Sequence, residues 1–144
     1  MTAEVAARNL QERIAANPYP GRGIVIGRNE AGEWIQVYWI MGRSPNSRNR
    51  LFAYEDEILR TQAADPSKVA DPSLIIYNAL RQLDGNSIVT NGAQTDGIYE
   101  GLQQGKSFAE SLLDWNHEPD APNFTPRISG LIELAKGAVW LSAI

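Results

Sequence analysis

The chain has 144 residues, 43% hydrophobic and 21% charged, with a net charge of −4. This composition fits one globular domain over 1–144 and excludes wholesale disorder. There is no cysteine and one histidine, His117, which excludes disulfides, thiolate catalysis and a multi-histidine metal site.

Residues 2–16 read as an amphipathic helix, with Val5, Ala6, Leu10, Ile14 and Ala15 at helical spacing and Asn17-Pro18 as its stop. Charges are scattered through this N-terminal segment (1–17) where a secretory signal has an apolar stretch. No apolar run approaches the roughly 20 residues of a membrane span, so a soluble, cytoplasmic protein is expected. "YPGRG" is a turn. "GIVIG" (23–27) and "EWIQVYWIM" (33–41) read as strands of a hairpin around "NEAG". The second strand is almost continuously apolar at its end, which predicts cover on both faces there.

"LFAYEDEIL" (51–59) fits strand or helix, with a strand favoured at its start, and "ADPSKVADPS" (64–73) is a polar turn. "LIIYNAL" (74–80) fits either a buried strand or a helix. "SIVTN" (87–91) reads as a strand, Gln94 to Gln104 as a helix, and 106–115 as a further helix with a Ser107/Glu110 capping box. The three prolines of "HEPDAPNFTPR" (117–127) predict an ordered irregular loop. "GAVWLSAI" (137–144) reads as a strand whose apolar end predicts a cut inside a larger fold.

The charge is unevenly placed. Residues 21–50 hold five arginines against Glu30 and Glu33, a net +3, which leaves −7 on the rest. An acidic protein repels long polyanions, so a small anion fits this island better than nucleic acid. Its densest part is "GRSPNSRNR" (42–50). Arg43, Arg48 and Arg50 supply planar forks for phosphate oxygens, while Ser44, Ser47 and Asn49 add neutral donors and Gly42 a sharp turn. No phosphate-loop or dinucleotide fingerprint is present. The plain alternative is a solvated loop whose arginines pair with Glu55, Asp56 and Glu57.

Two further segments could carry chemistry. In "VTNGAQTD" (89–96), Asn91, Gln94, Thr95 and Asp96 could read the hydrogen-bonding edge of a base or amide. The same residues also make an ordinary turn and helix cap. In "HEPDAPNFTPRI", the polar groups a stiff loop could aim are Glu118, Asp120, Asn123, Thr125 and Arg127. Tyr38 lies on a strand close to the basic loop. Thr2 would become terminal if Met1 were removed, but the helix that follows argues against a terminal nucleophile.

Taken in order, "YPGRGIVIG", "YWIMGRSPNSRNR", "IIYNAL", "VTNGAQTD" and "EPDAPNFTPRISG" resemble the archaeal-type IMP cyclohydrolase family and its bacterial relatives over most of residues 19–130. The resemblance implies an α+β fold similar to the N-terminal-nucleophile hydrolases, a four-layer α/β/β/α sandwich, here incomplete at its C-terminus. It implies dehydrative closure of 5-formamidoimidazole-4-carboxamide ribonucleotide to inosine monophosphate, with no metal or organic cofactor. The basic loop then suits the phosphate, and Asn91, Gln94, Thr95 and Asp96 suit the amide and ring. Tyr38 and Glu118 become candidate proton carriers, with Arg22 or Arg127 stabilising an oxyanion. Asn123 and Thr125 join the candidate substrate-binding residues. A missing strand would leave an open sheet edge, which predicts a homo-oligomer with neither nucleic-acid nor membrane partners. The rival readings are a non-catalytic purine-nucleotide-binding protein of the same fold and an RNA-binding protein using the serine/arginine loop.

Overall fold

The computed structural model describes residues 2–69 and 71–144. Helix α1 (Ala3–Asn9) runs on as a π-helical stretch, Leu10–Ala15. The Thr2 hydroxyl caps it by accepting from the Val5 amide. The helix expected at 2–16 is therefore present. Its apolar stripe meets no core, however: none of its residues is buried and Leu10 is 59% exposed.

Strands β1 (Gly23–Arg28) and β2 (Trp34–Trp39) form the expected antiparallel hairpin, with Gly23 opposite Trp39 and Arg28 opposite Trp34. Gly23 is required there, because a Cβ would lie 2.0 Å from the Trp39 ring. Cover on both faces is only partly realised. Residues 38–41 are half-buried, but Val25, Ile35 and Val37 stand 43–48% exposed on the outer face.

The main sheet is a six-stranded antiparallel meander in chain order. Its strands are β3 (Arg50–Glu55), β4 (Ile58–Ala63), β5 (Asn78–Leu83), β6 (Asn86–Thr90), β7 (Ile128–Glu133) and β8 (Ala138–Ala143). The β3–β4 turn places Asp56 and Glu57 at positive φ, and the β5–β6 turn does the same with Asp84 and Gly85. Such paired left-handed residues match the twist of tight hairpins. The ambiguous segment 74–80 becomes strand only from Asn78. Strand β7 had no counterpart in the sequence reading.

Alternation along β6 and β7 separates the two faces of the sheet. Ile88 and Leu131, register partners, face helix α3 (Gln94–Gln103) and join Ile98, Phe108 and Leu112 in the core. Val89 and its partner Gly130 face the hairpin, and a Cβ on Gly130 would meet Ile26 Cδ1 at 2.7 Å. The described residues thus build three layers: hairpin, sheet and helix. The fold is mixed α/β with antiparallel sheets and few helices.

The helix expected over 106–115 is a correction. The capping box forms, with the Ser107 amide and hydroxyl donating to Glu110 Oε2 at 2.8 and 2.6 Å. Only a single 3-10 turn follows, Glu110–Leu112. The segment is held by packing instead: Ser111 closes on Gly101 and Trp115 on Gly97, where added Cβ atoms would lie 2.2 and 2.8 Å away. Tertiary contact overrides local propensity here.

Ile88 is fully buried, so Ile88→Ala should cost about 2–5 kcal/mol in urea unfolding. Ile35→Ala, on the open hairpin face, should stay within about 0.5 kcal/mol.

Candidate functional site

Three segments meet over the end of the sheet: 19–22 leading into β1, 42–50 after β2, and 117–127 before β7. They enclose a cleft of about 450 Å³, with Asn91 at the end of β6 and Ile75 beneath. Nine of the expected site residues line it: Arg22, Arg43, Ser44, Ser47, Arg50, Asn91, Glu118, Asn123 and Thr125.

The basic loop is built around a helical turn, α2 (Pro45–Arg48), capped reciprocally by Ser44 and Ser47. Gly42 fits because a Cβ would sit 2.5 Å from the Ser47 backbone. Arg43 Nη1 donates to Asn123 Oδ1 at 2.6 Å and its guanidinium lies 5.8 Å from the Tyr19 ring centroid, so it bridges all three segments. Arg50 opens β3 and is half-buried; its Nε and Nη1 have no hydrogen-bond partner among the described residues. Arg48 and Asn49 are not among the residues that line the cleft. Arg48 Nε braces the Gly42 carbonyl at 2.9 Å, and Asn49 bonds the Asp65 backbone through both Oδ1 and Nδ2. The alternative pairing with Glu55, Asp56 and Glu57 does not form either. Glu55 pairs with Arg60, and the other two acids sit in the distant hairpin turn.

Arg22 and Glu118 form a two-pronged ion pair, 2.9 Å at each contact, with 11% and 5% side-chain exposure. Arg22 Nη1 also donates to the Asn91 carbonyl at 2.9 Å. Burial alone would lower the Arg22 pKa, but the hydrogen bonds and charge of Glu118 outweigh it and raise the guanidinium above its usual range. Asn91 is the knot of this region. Its Oδ1 accepts from Gln94 Nε2 and the Ile128 amide, and its Nδ2 donates to the Pro126 carbonyl.

Gln94, Thr95 and Asp96 do not line the cleft either. Helix α3 starts at Gln94 and turns its first residues back into the protein. Gln94 Oε1 accepts from Arg127 Nη1, Thr95 shares a hydroxyl contact of 2.7 Å with Thr90, and Asp96 accepts from Asn78 and Arg81. Arg127 stands behind the wall, buried, tied to the Asn116 carbonyl and stacked 5.0 Å from Trp115. Burial lowers its pKa against the opposing charge of Glu118.

Tyr38 is likewise not on the wall. Its hydroxyl lies 2.6 Å from that of Tyr77, which is buried. Burial pushes the Tyr38 phenol far above its ordinary value, the Tyr77 contact adds to this, and Arg22 and Arg50 pull the other way. Sequence reasoning missed Tyr77, although "IIYNAL" was among the quoted strings, and it missed Tyr19. Asp120 stood only among the polar groups of its loop. It lines the cleft and accepts from the Thr125 amide at 2.7 Å and from the Thr125 hydroxyl. Burial would raise Asp120, but the Thr125 bonds prevail and hold it below the carboxylate range. Among the described residues, no three His, Asp or Glu side chains converge as a metal site requires. No described helix is long and apolar enough to cross a membrane.

Fold and cleft together define a mixed α/β protein with a hollow lined by Arg22, Arg43 and Arg50. The chain belongs to the IMP cyclohydrolase-like protein family, whose model matches residues 19–144. It is 35% identical over 115 residues to the IMP cyclohydrolase of Methanopyrus kandleri, covering 77% of this chain and 57% of that protein. It is 34% identical to that of Methanosphaera stadtmanae (88% and 63%) and 32% to that of Methanocella arvoryzae (79% and 57%). The chain therefore spans 57–63% of the length of these relatives.

Two outcomes follow from this geometry. A Cβ at Gly92 would lie 2.7 Å from Arg127 Nη1 and 2.8 Å from Gln94 Oε1, so Gly92→Ala should lower stability by about 1–3 kcal/mol in denaturant unfolding. The folded Asp120 value lies below its ordinary 3.8. Its contribution is therefore in place above about pH 4 and is lost as pH falls further; Asp120→Asn should flatten that acid limb in a pH series of melting midpoints.

Proposed function

We propose that the cleft is the catalytic site of an IMP cyclohydrolase, which closes 5-formamidoimidazole-4-carboxamide ribonucleotide to inosine monophosphate with loss of water. The observation that carries this reading is Arg50, a half-buried guanidinium on the cleft wall with two unpaired nitrogens. A charge without a counter-ion is costly to hold out of water, more so than a neutral donor, and a phosphate in the cleft would supply the counter-charge. The names of the relatives support the reaction. The volume suits one small molecule, since such sites run to about 300–1,000 Å³.

Both reacting groups belong to one substrate, so the protein's work is orientation, proton transfer and charge stabilisation. No cofactor is needed for these tasks. The carboxamide nitrogen attacks the formyl carbon and gives up a proton, and the formyl oxygen gains charge and then a proton. The resulting hydroxyl leaves as water with the proton of the former formamide nitrogen. In this reading Arg22, aimed by Glu118, faces the developing oxyanion. Glu118 and Tyr38 carry protons, Tyr38 from behind the wall, where its hydroxyl meets that of Tyr77. Arg43, Arg50, Ser44 and Ser47 hold the phosphate. Asn91, Asn123 and Thr125 complete the wall, Asn123 beside Arg43, and Arg127 supports them from behind.

The reading extends to the whole family architecture. The open outer face at Val25, Ile35 and Val37 supports a further layer over the hairpin, as a four-layer α/β/β/α sandwich needs. The unpaired edge of β8, with Trp140 and Leu141 more than half exposed, supports a homo-oligomer. A cytoplasmic location agrees with a soluble purine-nucleotide substrate.

An absorbance assay for inosine monophosphate formation is the test. The protein should turn over, and Glu118→Gln and Tyr38→Phe should each lower kcat by about 10²-fold or more. Full turnover in both variants would remove them from the proton path, and a folded protein without turnover would remove the reaction.

A further inference from the structure

The geometry points to Asp120 as the residue that reads the ribose hydroxyls of the nucleotide and so selects ribonucleotides over 2′-deoxyribonucleotides. This rests on the mononucleotide reading given above. Two carboxylates line the cleft, Glu118 and Asp120. Glu118 is ion-paired through both oxygens with Arg22, so its charge is already compensated. Asp120 uses one acceptor position on each oxygen for Thr125, and a carboxylate has about four such positions. It therefore keeps acceptor capacity towards the hollow.

That capacity is fixed in place. The two Thr125 bonds hold the carboxylate, and the Asn123 amide donates to the Asp120 carbonyl at 3.0 Å within the same turn. The same bonds keep Asp120 ionised at neutral pH, so it accepts hydrogen bonds and donates none. Such a group repels a ligand's oxyanions and attracts its hydrogen-bond donors. Asn123 is also the partner of Arg43, which puts Asp120 next to the cationic end of the cleft. In a nucleotide the group next to the 5′-phosphate is the ribose, and its vicinal hydroxyls are donors matched to a two-oxygen acceptor.

The experiment compares inosine monophosphate with its 2′-deoxy analogue by calorimetric titration of the full chain and of Asp120→Asn, with a melting midpoint as the fold control. The asparagine can still accept from the Thr125 amide. The wild type should bind the 2′-deoxy analogue about tenfold more weakly or worse, the effect of one charge-assisted hydrogen bond. In Asp120→Asn that ratio should fall towards one, chiefly through weaker binding of the ribonucleotide. Equal binding of both ligands by the wild type would overturn the inference, and this holds even if the variant does not fold. A variant that loses affinity for both ligands alike would show that Asp120 only braces its loop, and would overturn it too. If inosine monophosphate itself fails to bind, the mononucleotide reading has failed and takes the inference with it.

Discussion

The arrangement of the cleft depends on one buried ion pair. Arg22 precedes β1 and Glu118 lies in the loop before β7, 96 residues apart in the chain, yet their two 2.9 Å contacts sit almost out of solvent. Charges taken out of water are costly, and a buried pair is compensated only when the geometry is good and the remaining donors and acceptors are satisfied. Here the extra bond from Arg22 to the Asn91 carbonyl supplies that satisfaction. Removing either partner would strand the other, typically at about 3–5 kcal/mol. The pair thus fastens the N-terminal segment, the end of β6 and the proline-rich loop to one another.

Around that fastening the side chains divide into two groups. Arg127 and Gln94, behind the wall, and Asn91, on it, form a chain of hydrogen bonds, and Gly92 leaves the space for it. These groups are satisfied by one another, so they hold shape and have little left for a ligand. Arg50 and Asp120 are the opposite case: both line the hollow, Arg50 with two unpartnered nitrogens and Asp120 with acceptor positions to spare. A cationic end and an acceptor end on one rigid frame give a cleft with polarity, which suits a ligand that is an anion at one end and hydroxyl-bearing next to it.

The sequence made the hairpin, strand β8, helix α3 and the irregular loop legible, because each carries a strong period or a proline signature. It did not make β7 legible, since "ISGLIE" is a short apolar run with a glycine and no turn residues of its own to mark its start. The helix expected at 106–115 shows a local signal that is real and insufficient: its cap forms, but Phe108, Leu112 and Trp115 are drawn into the core that α3 shares through Ile98. For the site, the two loops rich in arginine and proline were readable from composition. What sequence could not separate was facing from bracing. Arg48 and Arg50 are two residues apart in one basic loop, yet one supports a carbonyl and the other faces the cleft. Gln94 and Thr95 looked like ligand contacts for the same reason they make good internal braces: both can donate and accept.

The central claim is that this cleft grips a mononucleotide by its phosphate. It is tested most directly by comparing thermal stabilisation from inosine monophosphate, inosine and sulfate, since a ligand that binds the folded state raises its stability by mass action. The account predicts a clear rise with inosine monophosphate, a much smaller one with sulfate, and almost none with inosine. Equal rises with inosine and inosine monophosphate, or none with either, would contradict it.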